Sequence, residues 1–135
     1  MNTEIIKIGA EIFIKKGDSI LLGKRRNCYG ADTWALPGGH LEYGETLIDA
    51  AKREMNEELD IAVTKMELLF VTEDIEEQRH YIHFSFLAQE YSGEIHCKEP
   101  SFCYEWKFFE ITDLPTPLFK PHENIVKKYR EKSVF

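Results

Sequence analysis

The chain has 135 residues, 43% of them apolar and 13% aromatic, which suits one globular domain over residues 1–135 with a core large enough to need no staples. Its formal net charge of −7 argues against a general nucleic-acid or membrane surface, because both need basic patches, but not against a small anionic substrate, since a bound metal reverses the local field. No stretch approaches the roughly 18 apolar residues of a membrane span. The start "MNTEIIKIGAEIFIKKGD" has no basic leader followed by an apolar run, and the odd set Cys28, Cys97 and Cys103, without a C-x-x-C spacing, reads as reduced thiols of a cytoplasmic protein.

"EIIKIGAEIFI" is rich in Ile and Phe and reads as a strand. "KKGDS" is a turn, and "ILLGKR" returns as the second arm of a hairpin. "NCYGADTWALPGG" reads as a loop punctuated by Gly30, Pro37, Gly38 and Gly39. Thr46 is a plausible N-cap with Asp49 three residues on. Leu47, Ala50, Ala51 and Met55 follow at helical spacing, which predicts a helix to about Leu59. "AVTKMELLFVTE" and "HYIHFSFLAQEY" read as strands; in the second, Tyr81, His83 and Ser85 alternate with Ile82, Phe84 and Phe86. "GEIHC" is a candidate short strand and "YEWKFFEI" a further one. "LPTPLFKP" is a loop, and "HENIVKKYREK" closes the chain as a helix with Ile125, Val126 and Tyr129 inward. The order β-β-α-β-β-(β)-β-α predicts an α/β fold, a mixed sheet between two helices, because each sheet face needs cover.

The stretch from Gly38 to Ile61 holds seven acidic residues in 24. On a helix, Glu54 and Glu58 lie about 40° apart around the axis, and Glu57 about 60° to the other side of Glu54. Like charges at this spacing destabilise a helix by a few tenths of a kcal/mol per pair. Glu57 and Glu58 also sit in the last turn, where the helix dipole adds roughly 0.3–1 kcal/mol of penalty for an anion. A divalent cation removes these penalties. Hard carboxylate oxygens with no His or Cys among them suit Mg²⁺, with Mn²⁺ as a substitute. The preceding "LPGGHLEYGET" brings a glycine loop onto the helix start. There Gly38 and Gly39 allow close backbone approach, and the Gly38 carbonyl is a candidate metal ligand.

Loop and helix together resemble the Nudix box: G, five residues, E, seven residues, then R-E-U-x-E-E-x-G-U, with U bulky and apolar. Gly39, Glu45, Arg53, Glu54, Met55, Glu57, Glu58 and Ile61 match it over 23 residues. The late glycine is Asp60 here, a departure that bears on the helix end and on no metal ligand. The resemblance implies a Nudix-type α/β/α sandwich that hydrolyses a nucleoside diphosphate linked to another group. Carried over, Glu54, Glu57 and Glu58 are catalytic metal ligands, with Glu54 also the general-base candidate. Arg53 and Glu45 pair structurally alongside Gly39, and the Gly38 carbonyl matches a family metal contact. A further carboxylate is expected from the later loop, with Glu99 preferred over Glu105. Arg25 is the candidate phosphate ligand, Lys24 and Arg26 its alternatives.

"LLGKRR…TWALPGGHLEYGET" looks most like the MutT-like nucleoside triphosphate diphosphatases of nucleotide-pool sanitation, which release a monophosphate and pyrophosphate. ADP-ribose or dinucleoside polyphosphate hydrolysis, the latter through Tyr81, and a non-catalytic nucleotide-sensing module are the alternatives. The expected partner is therefore a small-molecule nucleotide, with neither nucleic acid nor membrane; a homodimer is suggested only by analogy with relatives. Arg79, His122 and Asn124 stand where such enzymes read the base. An Asn amide has one donor and one acceptor group for a purine edge. Trp34, Phe84 and Trp106 could stack on a base but are ordinary core residues.

Overall fold

A computed structural model describes residues 4–132 of the chain. The expected bounds 1–135 and the leader-free start extend to residues outside the described ones. In chain order the elements are β1 (Ile6–Phe13), β2 (Lys15–Lys16), β3 (Ser19–Arg25), β4 (Trp34–Ala35), β5 (Gly38–His40), α1 (Leu47–Leu59), β6 (Ala62–Glu76), β7 (Arg79–Ser92), β8 (Cys103–Glu110), a 3-10 turn (Lys120–His122) and α2 (Glu123–Lys132). One sheet is mixed, in the order β5-β1-β7-β6, with β1 parallel to β7. The second is antiparallel, with β3 paired to β2, β4 and β8.

Period-two alternation sends the residues of β1 to two cores. Ala10, Ile12 and the following Ile14 pack with Ala51, Met55 and Leu59 of α1. Phe13 faces Ile125, Val126 and Tyr129 of α2. Leu21 joins the α1 side, whereas Ile20 and Leu22 join the α2 side. Each helix thus covers one face, as the need to bury both faces of a central sheet requires. The Phe13 and Tyr129 rings stack with centroids 4.1 Å apart. Full burial of an aliphatic or aromatic side chain contributes about 1.5–3 kcal/mol, so both clusters bind their helices firmly to the strands.

The α/β class and both helices match expectation, and three local readings are corrected. The hairpin around Gly17 and Asp18 is formed by β2 and β3, with the Ile14 carbonyl just before β2 accepting the Leu21 N–H, while β1 belongs to the other sheet. The long loop before α1 contains two short strands, β4 and β5, whose partners lie far away in sequence. "GEIHC" is not a strand. Its His96 N–H and the Lys98 N–H just beyond it donate to the Leu59 and Glu58 carbonyls, satisfying acceptors that the end of α1 leaves open.

Helix α1 starts where the pattern places it. Thr46 Oγ1 accepts the Asp49 N–H at 3.1 Å. At its other end Asp60 takes the left-handed conformation, φ 63°, and its N–H donates back to Asn56 and Met55 carbonyls. An aspartate thus does the work of the family's glycine, in a conformation that Asp and Asn visit more readily than other side chains. Replacing Asp60 by Val is expected to lower unfolding free energy by about 1–2 kcal/mol, whereas Asp60→Gly leaves it within about 1 kcal/mol or raises it. Urea denaturation in metal-free buffer checks this, and equal stability of the Val variant would contradict it.

Candidate active site

The second half of α1 meets β5 at very short range. The Gly38 N–H donates to Glu58 Oε1 at 2.8 Å. A Cβ on Gly38, where φ is 145°, would come within 2.1 Å of the Ala10 carbonyl oxygen; one on Gly39 would come within 2.5 Å of the Glu54 carboxylate. Both positions require glycine, because any side chain would displace backbone in the first case and the carboxylate in the second. Arg53 gathers the acidic groups. It donates to Glu45 at 2.7 and 3.1 Å, to Glu54 at 2.8 Å, to Glu57 at 3.3 Å and to the His40 carbonyl at 3.2 Å. The carboxylates' mutual repulsion is therefore partly offset within the protein.

The remaining charge is less well compensated. Burial raises the Glu54 pKa; Arg53 acts against it, and Glu57 and Glu99 add to it. Burial pushes Glu58 well above the ordinary carboxylate range, opposed by the Gly38 N–H and reinforced by Glu54 and Glu99. Glu45 goes the other way, held low by its hydrogen bonds to Arg53. Buried carboxylates with raised pKa values form a site that a cation would stabilise. Among the described residues no group of three or more His, Cys, Asp or Glu side chains is already gathered as metal ligands. The donor set fits Mg²⁺ in kind, since it consists of hard oxygens, and Mg²⁺ characteristically completes its shell with water and phosphate. Glu99 belongs to the same region. With Arg25, Glu58, Cys103 and Trp106 it lines a small cavity of about 230 Å³. Glu105 is exposed on β8 and lines neither this cavity nor the main cleft.

The main cleft has a volume of about 280 Å³. Gly38, Gly39 and Glu58 line it, together with Arg25, Arg79, Tyr81 and His122. The Arg25 guanidinium lies 4.0 Å from the Phe119 ring centroid, and its Nε donates to the Tyr29 carbonyl at 2.9 Å. Lys24 and Arg26 sit over Tyr104 and are absent from the cleft wall. Arg79 is held by Asp74 at 2.7 and 3.3 Å and by the Tyr29 hydroxyl at 2.7 Å. Asn124 is a correction: it is exposed near Val71, Thr72 and Glu73, because α2 turns Ile125 and Val126 inward and carries the amide away. Trp34 and Phe84 pack with the two cores, whereas Trp106 reaches both the α1 core and the cleft. None of the three cysteines forms a disulfide. Among the described residues no helix is long and apolar enough to cross a membrane.

Sequence reasoning passed over Glu11, Tyr29, His83 and Phe119 as cleft residues. A charge inside the apolar run of β1 and the polar alternation of β7 were the available signals for Glu11 and His83; Tyr29 and Phe119 carried none.

His122 is buried, and its Nδ1 accepts the Leu36 N–H at 3.1 Å. The neutral ring therefore carries its proton on Nε2. Burial, then the charges of His83 and Arg25, hold its pKa well below the ordinary histidine value. Below pH ~6.5 the unfolded chain binds a proton that the folded chain refuses, so this group removes stability as pH falls through that range. His122→Asn is expected to flatten this loss between pH 7 and 5, measured as the difference in melting temperature from the parent protein. An unchanged slope would contradict the placement.

Similarity to known proteins agrees with the geometry. The model of the NUDIX domain matches residues 6–129. A MutT NUDIX hydrolase structure from Burkholderia pseudomallei superposes with a TM-score of 0.86 at 32% identity, covering 92% of this chain and 98% of that one. An ADP-ribose pyrophosphatase of Methanocaldococcus jannaschii is 34% identical over 90% of this chain and 72% of its own length. The 8-oxo-dGDP phosphatase NUDT18 of Homo sapiens is 29% identical over 90% of this chain but only 39% of its own, so the chain spans well under half of that relative. Fold and site together define a small α/β hydrolase with an acidic helix end beside a glycine loop. The chain belongs to the Nudix family and is a Nudix hydrolase.

Proposed function

We propose that the chain hydrolyses a (deoxy)nucleoside triphosphate to the monophosphate and pyrophosphate, with Mg²⁺ or Mn²⁺, in the manner of a nucleotide-pool sanitation enzyme. One observation carries this reading: the half-buried carboxylate of Glu58, the glycine loop and the cation Arg25 share one cleft with aromatic and histidine side chains. That combination suits a ligand with a phosphate chain at one end and a flat ring at the other. An 8-oxo-dGTP diphosphatase of Buchnera aphidicola, 29% identical over 73% of this chain, supports it.

Glu54, Glu57, Glu58, Glu99 and the Gly38 carbonyl are the groups that would hold the ion. When bound, it supplies neutralisation of phosphate charge and a lowered pKa for water. The chain's own residues do the rest. Arg53 holds Glu45, Glu54 and Glu57 in fixed relation. Glu54, whose burial raises its proton affinity, accepts the proton of the attacking water at its carboxylate oxygen, a contribution typically of 10²–10⁴-fold. Arg25 neutralises a phosphate oxygen, and His122 and Arg79 orient the base.

Tyr81 lines the cleft, which keeps the dinucleoside polyphosphate reading in view, and the M. jannaschii relative does the same for ADP-ribose. A panel of canonical and oxidised triphosphates, ADP-ribose and dinucleoside polyphosphates, with products identified by mass, separates them. Monophosphate plus pyrophosphate, abolished by EDTA, is expected. Terminal phosphate release alone would overturn the proposal, and metal-independent binding without turnover would favour a sensor. Glu57→Gln is expected to lower turnover at least about tenfold with the fold retained, since it removes a ligand and a source of repulsion. Parent-like rates in the folded variant would count against the assignment.

A further inference from the structure

The most uncompensated polar chemistry in the described molecule lies in the wall of the cleft, on the α2 face of the mixed sheet. Glu11 and His83 are only 3% and 4% exposed, yet both line the cleft. Glu11 Oε1 and His83 Nδ1 are hydrogen-bonded to one another. Their outer atoms, Glu11 Oε2 and His83 Nε2, are buried and lack any hydrogen-bond partner; so are the hydroxyls of Ser85 and Thr72. These residues are strand neighbours: Glu11 pairs with Ser85, and His83 with both Gly9 and Thr72. Each orphaned buried group costs about 1–3 kcal/mol. Of these residues Glu11 and His83 line the cleft, and their open valences point to a ligand that completes them there.

Gly9 lines the cleft, and a Cβ there would lie 2.9 Å from Glu11 Oε1, 3.2 Å from Oε2 and 2.9 Å from His83 Nδ1. The absent side chain lets the pair itself pack against β1 at the cleft wall. His122 adds a donor: its Nε2 stands 4.0 Å from Glu11 Oε1, and that nitrogen carries the ring proton because Nδ1 accepts from Leu36. With His83 Nδ1–H donating to Glu11, the pair offers two acceptors, Glu11 Oε2 and His83 Nε2, next to the His122 donor.

We infer that Glu11 and His83 form a base-reading pair that selects nucleobases carrying two adjacent N–H donors. The inference rests on the proposed nucleotide reading and names the base class that the reading leaves open. Guanine has such an edge, with its ring N–H and exocyclic amine beside a carbonyl; isoguanine shares it. Adenine offers one donor and a ring lone pair that would face the carboxylate. Hypoxanthine keeps the ring N–H and lacks the amine. Arg25 does not belong to the pair and is left for the phosphates.

The test compares kcat/KM for GTP, isoguanosine triphosphate, ITP and ATP in the parent, Glu11→Gln and Gly9→Ala proteins, alongside Kd for the matching monophosphates. A hydrogen bond to a charged group corresponds to about a 10–100-fold preference. The parent is expected to prefer GTP or isoguanosine triphosphate over ITP and ATP by about that factor. Glu11→Gln should bring the GTP-to-ITP ratio close to one, and Gly9→Ala should do the same by displacing the pair. A purely structural role would lower all four substrates in parallel and leave the ratios intact, which would overturn the inference. So would equal parent rates on ATP and on the donor-edged purines, a result that needs no variant to fold. Should no triphosphate be hydrolysed, the diphosphatase reading fails by itself, while the monophosphate Kd ratios still decide the base pair's role.

Discussion

Everything in the site depends on how closely a helix and a strand approach one another. Gly38 and Gly39 let β5 pass so near α1 that one backbone N–H reaches Glu58 and one Cα lies under the Glu54 carboxylate. The contact takes both carboxylates partly out of water, and burial then raises their proton affinity. Side chains at these two positions would separate strand from helix and return the acids to solvent, where they would be ordinary surface glutamates.

Charge balance explains why the arrangement is tolerated. Arg53 reaches Glu45, Glu54 and Glu57 from one guanidinium, and a forked, permanently charged group is well suited to several carboxylates at once. The hydrogen bonds and ion pairs of Arg53 do not extend to Glu58 or Glu99, and burial raises the Glu58 pKa well above the ordinary carboxylate range. The protein therefore neutralises one side of the cluster and leaves the other, cleft-facing side with surplus negative charge. A phosphate chain could not occupy that side unaided, and a shared divalent ion would reconcile the two. Lys98 and His96 tie the Glu99 loop to the end of α1 through the Glu58 and Leu59 carbonyls, so the fifth acidic group is placed by helix-end hydrogen bonding.

Local signals were legible where a single element carries them. Helix α1 could be read from Thr46 to Leu59 because capping chemistry and apolar spacing coincide there, and the acidic cluster stood out because it breaks local charge rules. Non-local placement was not legible. Strands β4 and β5 are too short to show a period, and they form through pairing with β3 and β1. Asn124 and His122 are two residues apart, and only the register of the 3-10 turn with α2 decides that one lines the cleft and the other faces away. Glu11 looked like one charge in an apolar strand; its meaning depends on β7, which brings His83 alongside from the far end of the sequence.

The central claim is that the glutamates at the end of α1 bind a divalent cation together with a phosphate chain. Calorimetric titration of Mg²⁺ and Mn²⁺ into the protein, alone and saturated with a non-hydrolysable triphosphate analogue, addresses it directly. Saturable uptake that tightens with the analogue and is weakened by Glu58→Gln is the predicted result. Absence of metal uptake by the folded protein under both conditions would contradict the account.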